Sequence, residues 1–298
     1  MAYTGTGTQN DPYVVDNWDS LIEKIADTEA YVTVADNVDI DLTKIYPEGI
    51  PYSNAPPLLN FACKEFDGNG ITIRNAYNLS QRTGSNAVIE CAVTCDALSN
   101  MNFVNFYINS ATELIKSRKT GSYITVAHCT FKGIWFTSIT EPWEHIKRFF
   151  DCVFNIKYTT VGSVVYMYNT ATFDSCWLRF DTNVHWNGSN GFQHFVNTYL
   201  EGRFTVTGNS QKIIDTGNSL VSIINATLDA GEYTGITIYS WSSGIDILVN
   251  SDKYIGTITP TVNSGANPFI EVTDSQLKDY DYLKNIFPVV PNEEGSGG

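Results

Sequence analysis

Basic residues are scarce in this chain. Eighteen Lys+Arg stand against 32 Asp+Glu, a formal net charge of −14 and a pI near 4.6. Nucleic acid is excluded as a partner on this balance, because neutralising phosphates needs a surplus of cations. Charge of either sign is sparse at 17%, while 43% of residues are hydrophobic and 13% aromatic. A disordered chain shows the opposite composition. Long apolar runs are missing as well. Ile134-Trp135-Phe136 and Val164-Val165-Tyr166-Met167-Tyr168 fall far short of the ~20 residues of a spanning helix, so no membrane partner is expected. Met1 to Thr8 carries neither a basic start nor an apolar core, and the expectation is a chain without a secretory signal. Six cysteines occur without a CxxC pair, which argues against zinc ribbons and thioredoxin chemistry. A chain of 298 residues does not need disulfide staples, so free, buried thiols made in a reducing compartment are expected. The four histidines, His128, His145, His185 and His194, lack the helical spacing of a metal motif. Neither a P-loop nor a Gly-x-Ser-x-Gly elbow is present, and no cofactor or metal is expected.

What is present is a helix followed by many short strands. Trp18, Leu21, Ile22 and Ile25 fall at helical spacing, with Asn17 placed to cap and Asp19 in the positive first turn. Beyond it, Tyr31–Ala35 and Val38–Leu42 read as strands. From about residue 85 to 270 short apolar runs alternate with Asn, Gly, Ser, Asp and Thr. A repeat runs through them: Cys129-Thr130-Phe131, Cys152-Val153-Phe154, Cys176-Trp177-Leu178 and Asn197-Thr198-Tyr199, with Met101-Asn102-Phe103 before and Asn225-Ala226-Thr227 after. A period of about 20–28 residues with no helix inside the unit predicts one coil of strands per repeat. The expected fold is all-β, a right-handed parallel β-helix with an N-terminal capping helix. Cys129, Cys152 and Cys176 would then form an inward column. A β-sandwich with a chance pattern is the competing fold. The expected organisation is an entry segment with capping helix at 1–45, coils over 46–271, and a C-terminal cap and flexible tail at 272–298. A short turn of helix capped by Thr273 or Asp274 is expected near the end, and Ser110-Ala111-Thr112-Glu113 reads as a capping box before a short basic helix.

The opening Gly7-Thr8-Gln9-Asn10-Asp11-Pro12-Tyr13-Val14-Val15 with the helix bearing Trp18 resembles the entry module of bacterial and phage right-handed parallel β-helix proteins. Phe66-Asp67-Gly68-Asn69-Gly70-Ile71-Thr72-Ile73 resembles their first-coil motif, and Val272 to Lys278, Tyr282-Leu283 and Phe287-Pro288 are similar to the ends of virion-associated proteins. The resemblance covers about a quarter of the chain. It implies a head fibre, capsid decoration, tail spike or adhesin, commonly a homotrimer. In the virion reading the partners are other virion proteins and a host surface polysaccharide.

A polysaccharide-cleaving site would need two carboxylates. Asp151 and Asp174, near the same column edge, are the best pair in the sequence; acids at coil corners also solvate turns, which is the plainer role for them. Trp143 and Glu144, in Thr140–Arg148, and His185 and Trp186, in an expected polar-aromatic turn, are the binding candidates. Trp135 is expected to pack on its own coil. Asp67-Gly68-Asn69-Gly70 reads as a tight turn rather than a calcium loop. The function expected is a non-enzymatic virion component, with a polysaccharide-degrading spike or a secreted adhesin as alternatives.

Overall fold

The computed structural model describes residues 3–50, 57–79, 87–108, 113–119, 124–136, 142–158, 164–167, 171–187, 193–196 and 198–207, then short strands from 212 to 271 and a few positions as far as 285. Side chains are described at most of these positions up to 181 and at a few beyond. The chain divides into two compact units, Met1–Arg148 with Ile156–Val161, and Phe149–Asn155 with Gly162–Gly298.

Among the described residues, twelve strands lie wholly within the first unit. They are β1 (Tyr3–Thr4), β2 (Tyr13–Val15), β3 (Tyr31–Val34), β4 (Asp39–Asp41), β5 (Leu59–Phe61), β6 (Glu65–Leu79), β7 (Ala87–Cys91), β8 (Ala97–Ile108), β9 (Glu113–Ser117), β10 (Thr125–Ala127), β11 (Thr130–Phe136) and β12 (Trp143–Glu144). β1 pairs antiparallel with β2; the other pairings among these strands are parallel. Parallel register places like positions over one another. Val32, Phe66, Leu98 and Val126 form one column. Ile40, Ile73, Phe103 and Phe131 form a second, and Ala76, Phe106 and Ile134 a third. Leu59, Ile89, Ile115 and Trp143 form a fourth, in a separate four-stranded sheet of β5, β7, β9 and β12. Every member of these columns is buried. The chain visits the columns in the same order on each pass, so the core is an apolar stack repeated at the ~4.8 Å strand spacing. Aromatic rings take that spacing well: Phe103 and Phe131 stack at 5.3 Å and 13°.

Bends in the long strands come from single left-handed residues. Asn69 (φ 47°), Asn100 (φ 56°) and His128 (φ 53°) turn one corner; Asn75 (φ 62°), Asn105 (φ 57°) and Gly133 (φ 63°) turn the next. Asparagine tolerates this backbone better than most side chains. Its amide also bonds the neighbouring pass. Asn100 Nδ2 donates to Asp67 Oδ1 at 2.8 Å, and Asn105 Nδ2 donates to Asn75 Oδ1 at 3.4 Å. At the third pass glycine is required, because a Cβ on Gly133 would lie 2.8 Å from Asn105 Oδ1. Asp67-Gly68-Asn69-Gly70 is a tight turn, as read from the sequence. Asp67 Oδ1 accepts from Asn69 N at 2.9 Å, and Gly70 sits at φ 80°.

The helix predicted at the start is α1 (Trp18–Ile25), with Asn17 as its cap in a reciprocal box with Ser20. Its buried stripe is Ser20, Leu21, Lys24 and Ile25, rotated from the predicted one; Trp18 and Ile22 are half-exposed. Lys24 is drawn inward because its ammonium lies 3.9 Å from the Tyr3 ring centroid and 4.5 Å from that of Tyr13. The last carbonyl of the helix, Ile25 O, accepts from Ala62 N and Cys63 N at 2.8 and 2.9 Å, which docks the helix end by two bonds to one of its otherwise orphaned acceptors. A second, one-turn helix, α2 (Leu42–Ile45), is capped by Asp41.

In the second unit parallel register continues. Val165, Val184, Phe204, Leu228 and Tyr254 are successive partners, and Ile247 pairs with Phe269. Phe149 stacks on Phe173 at 5.1 Å and 11°. Trp177 N donates to Cys152 O at 2.9 Å, so Cys152 and Cys176 sit on neighbouring strands. Asp151 (φ 50°) and Ser175 (φ 57°) turn their corner. In the first unit Cys129 precedes Thr130, whose partner is Asn102, and so follows Met101 in register. None of the six cysteines is in a disulfide, and all are buried. The repeat is corrected by one residue at its next step. Leu178 pairs with Leu200, so Thr198, not Asn197, succeeds Cys176. Thr198 is fully buried, and its Oγ1 accepts from Cys176 N at 3.3 Å and donates to Phe173 O at 3.0 Å. Asn225 does not continue the column either: Thr198 pairs with Val221, while Ala226 pairs with Gly202. Near the C-terminus α3 (Asp274–Leu277) begins with Thr273 as its cap; Thr273 Oγ1 accepts from Gln276 N, and Gln276 Oε1 accepts from Thr273 N.

Two substitutions test this packing. Phe103→Ala is expected to cost about 3–5 kcal/mol in urea unfolding, the loss typical of a fully buried aromatic. Asn105→Val is expected to cost about 1–2 kcal/mol or more, since a branched side chain resists the left-handed backbone, whereas Asn105→Gly shifts stability by less than about 1 kcal/mol.

Candidate functional site

The sequence candidates are distributed across several places. Asp151 and Asp174 do lie on neighbouring strands, joined by Asp151 N donating to Asp174 O at 2.9 Å. Both are half-buried, Asp151 has the left-handed backbone of a corner, and Asp174 accepts from Ser175 Oγ at 3.1 Å. Those contacts are turn-making contacts. Trp143 is 1% exposed and stands in the Ile115 column, so its ring is a core element with no face open to a ligand. Glu144 is gripped by the Lys116 ammonium, with His145 Nδ1 at 3.7 Å. His185 and Trp186 lie in the strand Trp177–Asn187, where a turn was expected; they pair with Tyr166 and Met167 on one side and Thr205 and Val206 on the other. Their side chains lie outside the described residues.

Glu113 opens strand β9, not the helix that its capping-box pattern predicts. Lateral pairing of Ile115 with Ile89 and Trp143 prevails there. The basic cluster that follows is consumed by ion pairs across strands: Lys116 with Glu144, Arg118 with Glu90, and Lys119 with Asp96. Glu113 itself has a buried carboxylate oxygen with no hydrogen-bond donor. Burial first, and then the charge of Glu144, push its carboxyl above the usual range. The thiols of Cys63 and Cys91 are not nucleophiles in waiting. Burial raises Cys63, and contact with Cys95 followed by burial raises Cys91, so both stay protonated.

Two surface features of the first unit have binding chemistry that the sequence did not disclose. One is an open cleft of about 360 Å³ beside β3, β6 and β8. Tyr31, Thr33, Glu65, Asp67 and Ser99 line it from the outer face of the sheet, with Gln9 at its rim. The other is a file of aromatic rings. Tyr77, Tyr107 and Trp135 occupy the outward position on β6, β8 and β11, between or beside buried residues such as Phe106 and Ile108, or Ile134 and Phe136. Tyr77 and Tyr107 lie 6.2 Å apart, and Tyr107 and Trp135 stack at 5.2 Å and 14°. Lys157 Nζ closes the file 4.6 Å above the Trp135 ring. The signal for this file is an aromatic residue recurring at one register position, visible only once the register is known.

On the adjoining face, across the corner made by Asn75, Asn105 and Gly133, Arg74 is held by Asp39 and Asp41, both at 2.9 Å. Asp41 also accepts from Thr43 Oγ1, Thr43 N and Asn75 Nδ2. These hydrogen bonds, Thr43 and Asn75 foremost, then Arg74's charge, bring its carboxyl down to about 2. Among the described residues no group of His, Cys, Asp and Glu is arranged to hold a metal ion, and no helix is long and apolar enough to cross a membrane. No protein-family model matches the chain, and no curated protein or solved structure matches it.

Two titrations follow. Asp41 has a depressed folded value, so its contribution is present above the ordinary carboxylate range and is lost as pH falls from about 4 to about 2; Asp41→Asn is expected to flatten the urea-midpoint profile in that window. Glu113 has a raised one, so its contribution is lost as pH climbs through the folded value. Glu113→Gln is therefore expected to raise the urea midpoint at pH 7 and leave it nearly unchanged at pH 4.

Proposed function

We propose that this chain is a right-handed parallel β-solenoid acting as a non-enzymatic structural component of a phage virion, as a head fibre, capsid decoration or tail spike. In this reading it assembles as a homotrimer and contacts neighbouring virion proteins or a host surface polysaccharide. What supports the solenoid is the succession of parallel register columns in each unit, visited in constant order and filled with stacked apolar side chains. A scaffold of this kind is mechanically robust, because backbone hydrogen bonds and ring stacking are renewed at every strand. The virion assignment draws on the resemblance of the two chain ends and the first coil to virion-associated β-helix proteins.

The cleft favours a second reading, polysaccharide hydrolysis. Glu65 and Asp67 are two residues apart on one strand and both line it. Two apart on a strand, their side chains leave the same face, so the cleft holds the pair of carboxylates that glycoside hydrolysis needs. Asp67 Oδ1 is already engaged by Asn69 and Asn100, which makes it a stiff partner rather than a free base.

Immunogold electron microscopy of particles made by the encoding strain tests the first reading: label on the particle is expected, and label confined to the bacterial envelope overturns it in favour of an adhesin. Reducing-end release from host wall polysaccharide separates the second. None is expected from the wild type; release that Glu65→Gln abolishes establishes hydrolysis.

A further inference from the structure

The aromatic file sits in an unusual electrostatic setting for a protein with 32 acids and 18 bases. Lys157 lies beside Trp135 in the file, and Lys132 of β11 stands on the adjoining face, just across the corner at Gly133. Among the described residues neither ammonium meets a carboxylate. The acids on the Lys132 side of that corner, Asp39 and Asp41, are both committed to Arg74. The Tyr77 and Tyr107 hydroxyls and the Trp135 indole N–H make no hydrogen bond to the described residues either. Two phenols, one indole N–H and the Lys157 ammonium thus follow one file, with the Lys132 ammonium flanking it across the corner.

We propose that this strip binds an anionic polysaccharide. The ligand must be chain-like, since three rings in file and two lysines beside them cover far less than the ~1,200–2,000 Å² of a stable protein interface. Nucleobases gain little, because only the outer face of Tyr77 is open to stacking and the faces between the rings are taken up at 5.2 and 6.2 Å. An extended acidic peptide gains nothing from its backbone here. The strip lies on the face of paired strands, not on a free sheet edge. A polyhydroxylated chain with carboxylate or phosphodiester groups meets every unpaired group instead: sugar hydroxyls at the phenols and the indole N–H, anions at Lys132 and Lys157. The exposed outer face of Tyr77, 43% accessible, offers one further ring to the chain's C–H surface. This site operates whether or not the chain belongs to a virion.

Isothermal titration calorimetry of the full chain tests it with hyaluronate, poly(glycerol phosphate), neutral dextran, poly-L-glutamate and oligothymidine. Binding to one or both anionic polysaccharides is expected, weakening as salt rises; which of the two binds more tightly identifies carboxylate or phosphate as the recognised group. Lys132→Gln and Lys157→Gln are each expected to weaken it about five- to tenfold, with Lys157→Arg retaining it and thermal melts unchanged. Absence of binding to both anionic polysaccharides overturns the assignment. So does equal binding of dextran, tighter binding of poly-L-glutamate or oligothymidine, or indifference to the two lysine substitutions.

Discussion

Parallel pairing of successive strands in register is the constraint on which everything else in this protein depends. Once the backbone of one pass bonds to the next, each side chain is held about one strand spacing from its counterpart. A residue then has the same neighbour type above and below, and whatever suits that spacing is reinforced. Phenylalanines stack inside, as Phe103 does on Phe131. Asparagines link at the corners, as Asn105 does to Asn75. Aromatic rings file along the outside, as Tyr107 and Trp135 do. The inner stack and the outer file are one geometric rule acting on the two faces of the same strands.

The corners explain why the repeat is faint in sequence. What a corner needs is one residue that accepts a left-handed backbone, and Asn, His, Asp, Ser and Gly all occur there. Neighbouring passes then impose second demands. Gly133 is fixed by the Asn105 side chain across from it, and Gly68 by the Asn100 carbonyl, 2.4 Å from where its Cβ would be. Asp151 belongs to this set, which gives it a structural occupation that carboxylate counting in the sequence weighed against catalysis.

Much of the fold was legible because it rests on local patterns. Asn17, Leu21 and Ile25 identified α1, and the recurring Cys-x-Phe and Cys-x-Leu runs identified the neighbouring strands. Thr198 was missed as the successor of Cys176 because a hydroxyl replaces a thiol in the column, keeping size but changing the letter. The segment after Thr112 was misread because its capping pattern is local, whereas the pull of Ile89 and Trp143 on Ile115 is not. For the binding surfaces the sequence did poorly. Trp143 looked like a loop anchor by its charged neighbours, yet those charges close on one another above a buried ring. Trp135 looked like self-packing by its apolar neighbours, yet Ile134 and Phe136 point inward and leave it on the outer face.

The sequence by itself determined that this chain is strand-rich and acidic, that a capped helix precedes a run of short repeats, and that its cysteines are buried packing groups. Composition, capping and period are local properties, and local chemistry is enough to read them. Only the tertiary structure decided which residues share a face with residues some 30 positions away. Register is a long-range quantity, in which a shift of one residue exchanges inside for outside. That is why the cleft at Tyr31, Glu65 and Asp67, and the file from Tyr77 to Lys157, emerged only when the strands were laid side by side.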